Sequence, residues 1–215
     1  KHSQALSAVF SRLAQKLSGA GTPQEAARII LSAAQELLGW DACTLDLYSP
    51  EQNRNCPILY IDTINGQQTE IPPGEIEIRP TSFSHRVIQE GAKLILRDQP
   101  SSEAESLVRF GDATRLSASL LFFPIRNAAR VIGVLSIQSY TANAYNQEGL
   151  NTLQTLADHC GGALERIRAE QALQESERLF RALIENSSDG ISLLSAEADI
   201  IYSSPAITAL LGFTV

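Results

Sequence analysis

The 215-residue chain has no methionine, one tryptophan and three cysteines. A missing methionine, initiator included, fits either a piece of a longer protein or modified methionines that went unrecorded, and the sequence leaves both open. Cys43, Cys56 and Cys160 are too few and too scattered for a disulfide scaffold, and there is no C-x-x-C, which removes a zinc knuckle or a thioredoxin-like motif. A reducing cytoplasm is the simplest setting for such a chain. No apolar run approaches the roughly 20 residues of a membrane helix; the most apolar stretch, Ser119 to Ile125, is too short. No signal-peptide pattern opens the chain. Basic residues are also scarce, 17 against 24 acidic, and the net charge of −7 argues against a nucleic-acid partner. Residues 1–146 hold 13 basic and 14 acidic residues and residues 147–215 hold 4 and 10, so the acidity belongs to the C-terminal third.

What is present is enough apolar residue, 44%, for a packed core. Leu6, Val9, Phe10, Leu13 and Leu17 share one face of a predicted helix over 4–18. Thr22-Pro23-Gln24-Glu25 has the form of a capping box that opens a second helix, which Gly39 closes. From Trp40 the period becomes two. Cys43, Leu45 and Leu47 alternate with Thr44, Asp46 and Tyr48, which predicts a half-buried strand. Pro57 to Ile64 is a second strand, and Asn65-Gly66 turns it into a short third strand that ends by Ile71. Phe83 to Glu90 reads as a helix, Lys93 to Arg97 as a strand, and 98–116 as a polar loop. Ser117 to Arg126 and Arg130 to Ser139 are two further strands.

A helical pattern then runs from Gln147 to about Glu185, long enough to span about 58 Å. Leu150, Leu153, Leu156, Ala157, Cys160, Leu164 and Ile167 form one stripe; Leu173, Phe180 and Ile184 resume it after a phase change. Up to Ile167 the helix fits against its own domain. Beyond it a second strand of coiled coil is the expected partner, which makes Leu153, Leu156, Cys160, Leu164, Ile167, Leu173, Phe180 and Ile184 the expected positions of a dimerising, signal-carrying helix. Glu165 with Arg168, and Glu177 with Arg181, stand at helix-pairing distances. The element order predicts a mixed α/β (α+β) domain: a mainly antiparallel sheet of about six strands, with N- and C-terminal helices on one face, followed by the long helix.

The run SLLFFPIRNAARVIGVLSIQS over 119–139 resembles the closing hairpin of a GAF domain. Tyr145, Glu148, Leu150, Leu153 and Leu156-Ala157 resemble that family's final helix, and Leu17 to Asp46 its opening. The resemblance covers about residues 4–168. Glu177-Arg178-Leu179-Phe180-Arg181, Ile184-Glu185-Asn186, Asp189-Gly190-Ile191 and Ile201-Tyr202 to Leu211-Gly212 resemble the entrance of a PAS domain, departing from it at Ala196-Glu197-Ala198-Asp199, where a glycine is common. The implied organisation is a GAF core over 1–146, a final helix continuing as a linker over 147–185, and a truncated PAS start over 186–215. So short a fragment is expected to fray or to dock on another chain. GAF and PAS in series resemble the input half of a bacterial sensor histidine kinase and, less often, of a diguanylate cyclase. The implied working unit is a cytoplasmic homodimer feeding an output domain elsewhere in the parent chain.

The candidate chemistry is sparse. His159, in Ala157-Asp158-His159-Cys160, lacks the residues that follow a phosphoacceptor histidine, and His2, His85 and His159 are not spaced as a metal set. Some GAF-fold proteins reduce free methionine sulfoxide with a loop cysteine. Here Cys56, beside Arg54, is the thiol such an enzyme would use, and Cys43 and Cys160 read as core. Phytochrome-type GAF domains attach a bilin through a cysteine, and the matching stretch Pro80 to Gly91 has none, so no covalent bilin is expected. Asn143, Tyr145 and Glu148 only echo a cyclic-nucleotide signature; Asn146 as a helix cap explains that stretch better. A noncovalent small-molecule pocket of unknown ligand, implied by the family between the sheet and the segment after the second strand, would use Tyr60, Asp62, His85, Phe110, Arg115 and Phe122, with Arg115 for an anion and Phe122 as an apolar wall. A dimerisation module with an empty pocket is the remaining reading.

Overall fold

The computed structural model describes residues 2–72, 80, 82–97, 111–112 and 114–212. It contains two compact units, Lys1–Arg168 and Ala169–Val215. In the first, α1 (His2–Ser18) and α2 (Pro23–Leu38) precede β1 (Ala42–Ser49), β2 (Arg54–Ile64) and β3 (Gln67–Glu70); α3 (Ser82–Glu90) and β4 (Lys93–Leu96) follow, then β5 (Ser119–Asn127), β6 (Arg130–Ser139) and α4 (Gln147–Glu185). The strands form one six-stranded sheet in the order β3-β2-β1-β6-β5-β4, every neighbouring pair antiparallel.

Local chemistry explains the element ends. Thr22 Oγ1 accepts the Glu25 N–H at 3.2 Å, and the Glu25 carboxylate reaches back to the Gly21 N–H at 2.9 Å, so the box closes one residue earlier than the usual pattern. Gly39 ends α2 at φ 70°. Asn65 and Gly66 turn the β2–β3 hairpin with φ 52° and 79°. Asn146 Oδ1 accepts the Gly149 N–H at 2.9 Å and opens α4.

One sheet face carries Cys43, Leu45, Leu47, Leu59, Leu121, Phe123, Ile125, Leu135 and Ile137. These pack with Val9, Leu13 and Leu17 of α1, Ala26, Ile30 and Leu31 of α2, and Leu153, Leu156, Cys160, Leu164 and Ile167 of α4 in a single core. The terminal helices thus share one face, as the element order predicts. Leu153, Leu156, Cys160, Leu164 and Ile167 of α4 are fully buried there. They are core, as the fit of the helix against its own domain up to Ile167 predicts, which corrects only their additional assignment to a dimer seam: the stripe that fits a coiled coil is spent on the sheet. The helix sits close. A Cβ at Gly161 would lie 1.7 Å from the Arg126 carbonyl oxygen, so only glycine fits at that crossing. The expected Glu165–Arg168 pair does not form. Arg168 donates to the Tyr48 carbonyl at 3.4 Å, and Glu165 Oε2 is buried without a partner.

The second unit holds the distal part of α4, a two-stranded antiparallel sheet of β7 (Ser192–Leu194) and β8 (Ile200–Ser203), and α5 (Pro205–Leu211). The fragment expected to fray therefore forms a hairpin and a helix. Ser204 fastens them: its N–H donates to Ile191 O at 2.8 Å and its Oγ accepts the Ile191 N–H at 3.0 Å. At the hairpin turn, where a glycine is common, Ala198 holds φ 70°. Ile184 is buried, whereas Leu173, Leu179, Phe180 and Leu183 are 61%, 61%, 59% and 64% exposed.

Candidate functional site

The opposite face of the large sheet has two halves. The apolar half lies under α3, where Phe83 and Val87 pack on Leu120, Phe122 and Val134; the Phe83 and Phe122 rings meet edge to face at 4.6 Å. The polar half is built on β1, β2 and β6. Thr44 and Asp46 alternate with Leu45 along β1, Tyr60 pairs with Thr44 and Asp62 with Ala42, so Thr44, Asp46, Tyr60 and Asp62 share this side, opposite Leu45 and Leu59. Thr44 and Ser136 hydroxyls share a hydrogen bond of 2.8 Å. Ser117 donates to Gln138 Oε1 at 2.6 Å.

Two carboxyls anchor the polar half in different ways. Asp62 is fully buried and doubly satisfied, accepting Tyr140 O–H at 2.5 Å and the Asp112 N–H at 2.8 Å. Gly111, at φ 72°, lies so near that a Cβ would stand 2.1 Å from Asp62 Oδ2. Burial, and then the bond to Asp62, push the Tyr140 phenol above its ordinary range. Asp46 is half-buried and has one partner, Tyr60 O–H, at 2.7 Å. Burial pushes its carboxyl up to about 6 against the opposing pull of that hydrogen bond. Tyr60 is raised by burial first and then by Asp46.

The structure brings Tyr60, Asp62 and Phe122 onto this one face. Arg115 stands at its edge, but its guanidinium lies 3.7 Å over the Tyr140 ring and donates to Thr63 O at 3.2 Å, so its described contacts are a stack and a carbonyl rather than an anion. His85 is turned about 200° around α3 from Phe83, away from the sheet. Phe110 lies outside the described residues. Asp46 and Tyr140 are the members that sequence reasoning missed. For Asp46 a signal existed: a carboxyl in the middle of a strand. Alternation alone assigns it to solvent.

Cys43 and Cys160 are buried, with Cys160 pushed up to about 12 by burial and Cys43 raised by the same cause. Cys56 is exposed. It pairs directly with Leu47, whose side chain lies in the helix-side core, so its thiol points to the face away from Asp46 and Tyr60. His159 is exposed on α4, its ring 5.2 Å from that of Phe10. Among the described residues no group of three His, Cys, Asp or Glu could hold a metal, and no helix is long and apolar enough to cross a membrane. A separate cleft of about 540 Å³ lies between α1, α2 and the start of α4, lined in part by Leu6, Val9, Leu38 and Tyr145.

Residues 20–165 match the sequence profile of the GAF domain. The chain is 25% identical over 186 residues to the methyl sulfide methyltransferase-associated sensor of Methanosarcina acetivorans, covering 83% of this chain and 18% of that protein, so it spans under a fifth of the curated relative's length. Among solved structures it resembles the GAF domain of a phosphoenolpyruvate-protein phosphotransferase from Coxiella burnetii, with 17% identity, a TM-score of 0.58, and 80% and 99% of the two chains covered. It also resembles the free methionine-R-sulfoxide reductase of Neisseria meningitidis in complex with its substrate, with 13% identity, a TM-score of 0.56, and 79% and 93% covered. At such identities the likeness is one of fold.

Proposed function

Because the chain belongs to the GAF domain family, we propose that it is the sensory input segment of a longer signalling protein of the two-component sensor histidine kinase type, with residues 186–215 opening a PAS-like module. A small molecule held on the α3-side face, or a partner domain, biases how the sheet and helices pack, and α4 carries that bias to an output domain. A ligand does this only through unequal affinity for two packings.

The observation that supports this reading is α4 itself. Its proximal half, through Leu153, Leu156, Cys160, Leu164 and Ile167, is locked into the helix-side core, and the same helix continues to Glu185. Distally it presents Leu173 and Phe180 seven residues apart, with Leu183 three further on, all exposed. That spacing fits the seam of a two-stranded coiled coil, with a second copy of this chain as the other strand. The sulfoxide reductase reading is not favoured, because Cys56 points to the face opposite the candidate site.

Sedimentation of the whole chain tests the proposal. A dimer is expected, and Leu173→Glu with Phe180→Glu is expected to give a monomer of unchanged helicity. A monomeric wild type, or a double variant that still dimerises, refutes the relay through α4.

A further inference from the structure

Among the described residues, Asp46 is the carboxyl of the α3-side face with an oxygen left in want of a partner. It lies on β1, an interior strand with β2 on one side and β6 on the other. Pro57 of β2 and Val134 of β6 are its neighbours in register, and neither offers a hydrogen bond from its side chain. Oδ1 takes the Tyr60 hydroxyl at 2.7 Å. Among the described residues Oδ2 has no hydrogen-bond donor. Among the described residues no lysine, arginine or histidine pairs with it.

The other described charges near this face are committed. Asp62 has two donors. Arg115 lies on Tyr140 and bonds Thr63 O. Lys93, opposite Phe122 on β4, is tied to Glu90 at 2.5 Å. Arg86 stands 5.1 Å from the Phe83 ring centroid. A carboxylate drawn out of water with no cation beside it is a poor host for an anion, and a neutral guest leaves it still uncompensated. Burial already raises the Asp46 carboxyl to about 6, as expected of a charge that awaits its counterpart. Beside it, the cross-strand neighbour Val134 belongs to the apolar cluster with Phe122 and Phe83.

We propose that the α3-side face takes a small organic cation, a protonated amine on an apolar or aromatic body, whose ammonium group pairs with Asp46 while the body lies toward the Val134–Phe122 side. This rests on the reading that the α3-side face is a ligand site, and adds the ligand's chemical class.

The test uses the whole chain and three probes of one shape: phenethylamine, phenethyl alcohol and phenylpropionate. Binding is followed at neutral pH by calorimetry and by the amide resonances of Val134 and Phe122. The ammonium is expected to bind about ten- to hundredfold more tightly than the alcohol, the range a hydrogen bond to a charged group supplies, and the propionate is expected not to bind. Asp46→Asn is expected to bring the amine down to the alcohol's affinity, with the buried Trp40 reporting an intact fold. An alcohol or propionate that binds as well as the amine overturns the cation and leaves the site standing. An amine preference that survives in Asp46→Asn overturns the role of Asp46. If none of the three shifts Val134 or Phe122, both the inference and the ligand-site reading fall.

Discussion

Asp46→Asn should make the protein more stable at neutral pH, and the size of the gain follows from the structure. The carboxyl moves from 3.8, its ordinary value, to about 6 in the folded chain, chiefly through burial. A folded-state value raised above the unfolded one means that the native state holds its proton more tightly. The corresponding stability is fully present below pH 3.8 and is lost as pH rises through about 6. Roughly two pKa units at 1.36 kcal/mol each come to about 3 kcal/mol. Asparagine keeps an oxygen for the Tyr60 hydroxyl and carries no charge, so it escapes the loss. Urea unfolding followed by Trp40, the sole tryptophan and a member of the helix-side core, reads the effect. Wild type and variant should share a midpoint below pH 4 and separate by about 1 to 2 M urea at pH 8, taking a slope of about 2 kcal/mol/M. Other titrating groups are common to both proteins and cancel in the difference. A separation that stays flat with pH, or a variant that is the weaker at pH 8, refutes the reasoning.

Three further outcomes are expected. Gly161→Ala drives a methyl into the Arg126 carbonyl and should destabilise the first unit by about 1–3 kcal/mol in the same urea assay; an unchanged midpoint would mean that α4 is free to lift. Ala198→Gly relieves an alanine at φ 70°, worth about 1 kcal/mol, and should slow amide exchange across β7 and β8 several-fold, whereas faster exchange would contradict the strain. An aromatic disulfide reagent should label one thiol at once, Cys56, and reach Cys43 and Cys160 only in denaturant; rapid labelling of more than one thiol would place the buried pair elsewhere.

Elements governed by local chemistry were legible in the sequence. The Thr22 box, Asn65-Gly66 and the Asn146 cap each place backbone donors or positive φ by rules that reach only a few residues, and Gln147–Glu185 is bounded as its pattern predicts. Properties set by distant neighbours were not. Alternation along β1 identifies a polar side at Asp46 but says nothing of how far its neighbours bury it, and those neighbours, Tyr60 of β2 and Val134 of β6, come from other strands. The stripe from Leu153 to Ile167 has one periodicity whether it meets a sheet or a second helix, so spacing leaves it open to both the domain's own core and a dimer seam, and only the fold shows it spent on the core. Arg115 advertises a charge, and only the fold shows that Tyr140 and a carbonyl occupy it. Cys56 beside Arg54 suggests a reactive thiol, and only the β1–β2 register shows which way it looks.

The strands β1 and β6 lie side by side at the centre of the sheet, with Asp46 and Val134 above and Leu45 and Leu135 below. One ply of backbone is thus the floor of one room and the ceiling of the next. A ligand held upstairs, as proposed, would rest on boards whose underside shares one apolar core with α4, Leu135 and its neighbours included. Its reach is therefore set by the stiffness of a single sheet, and a substitution that softens β1 or β6 should muffle the footstep without touching either the guest or the helix.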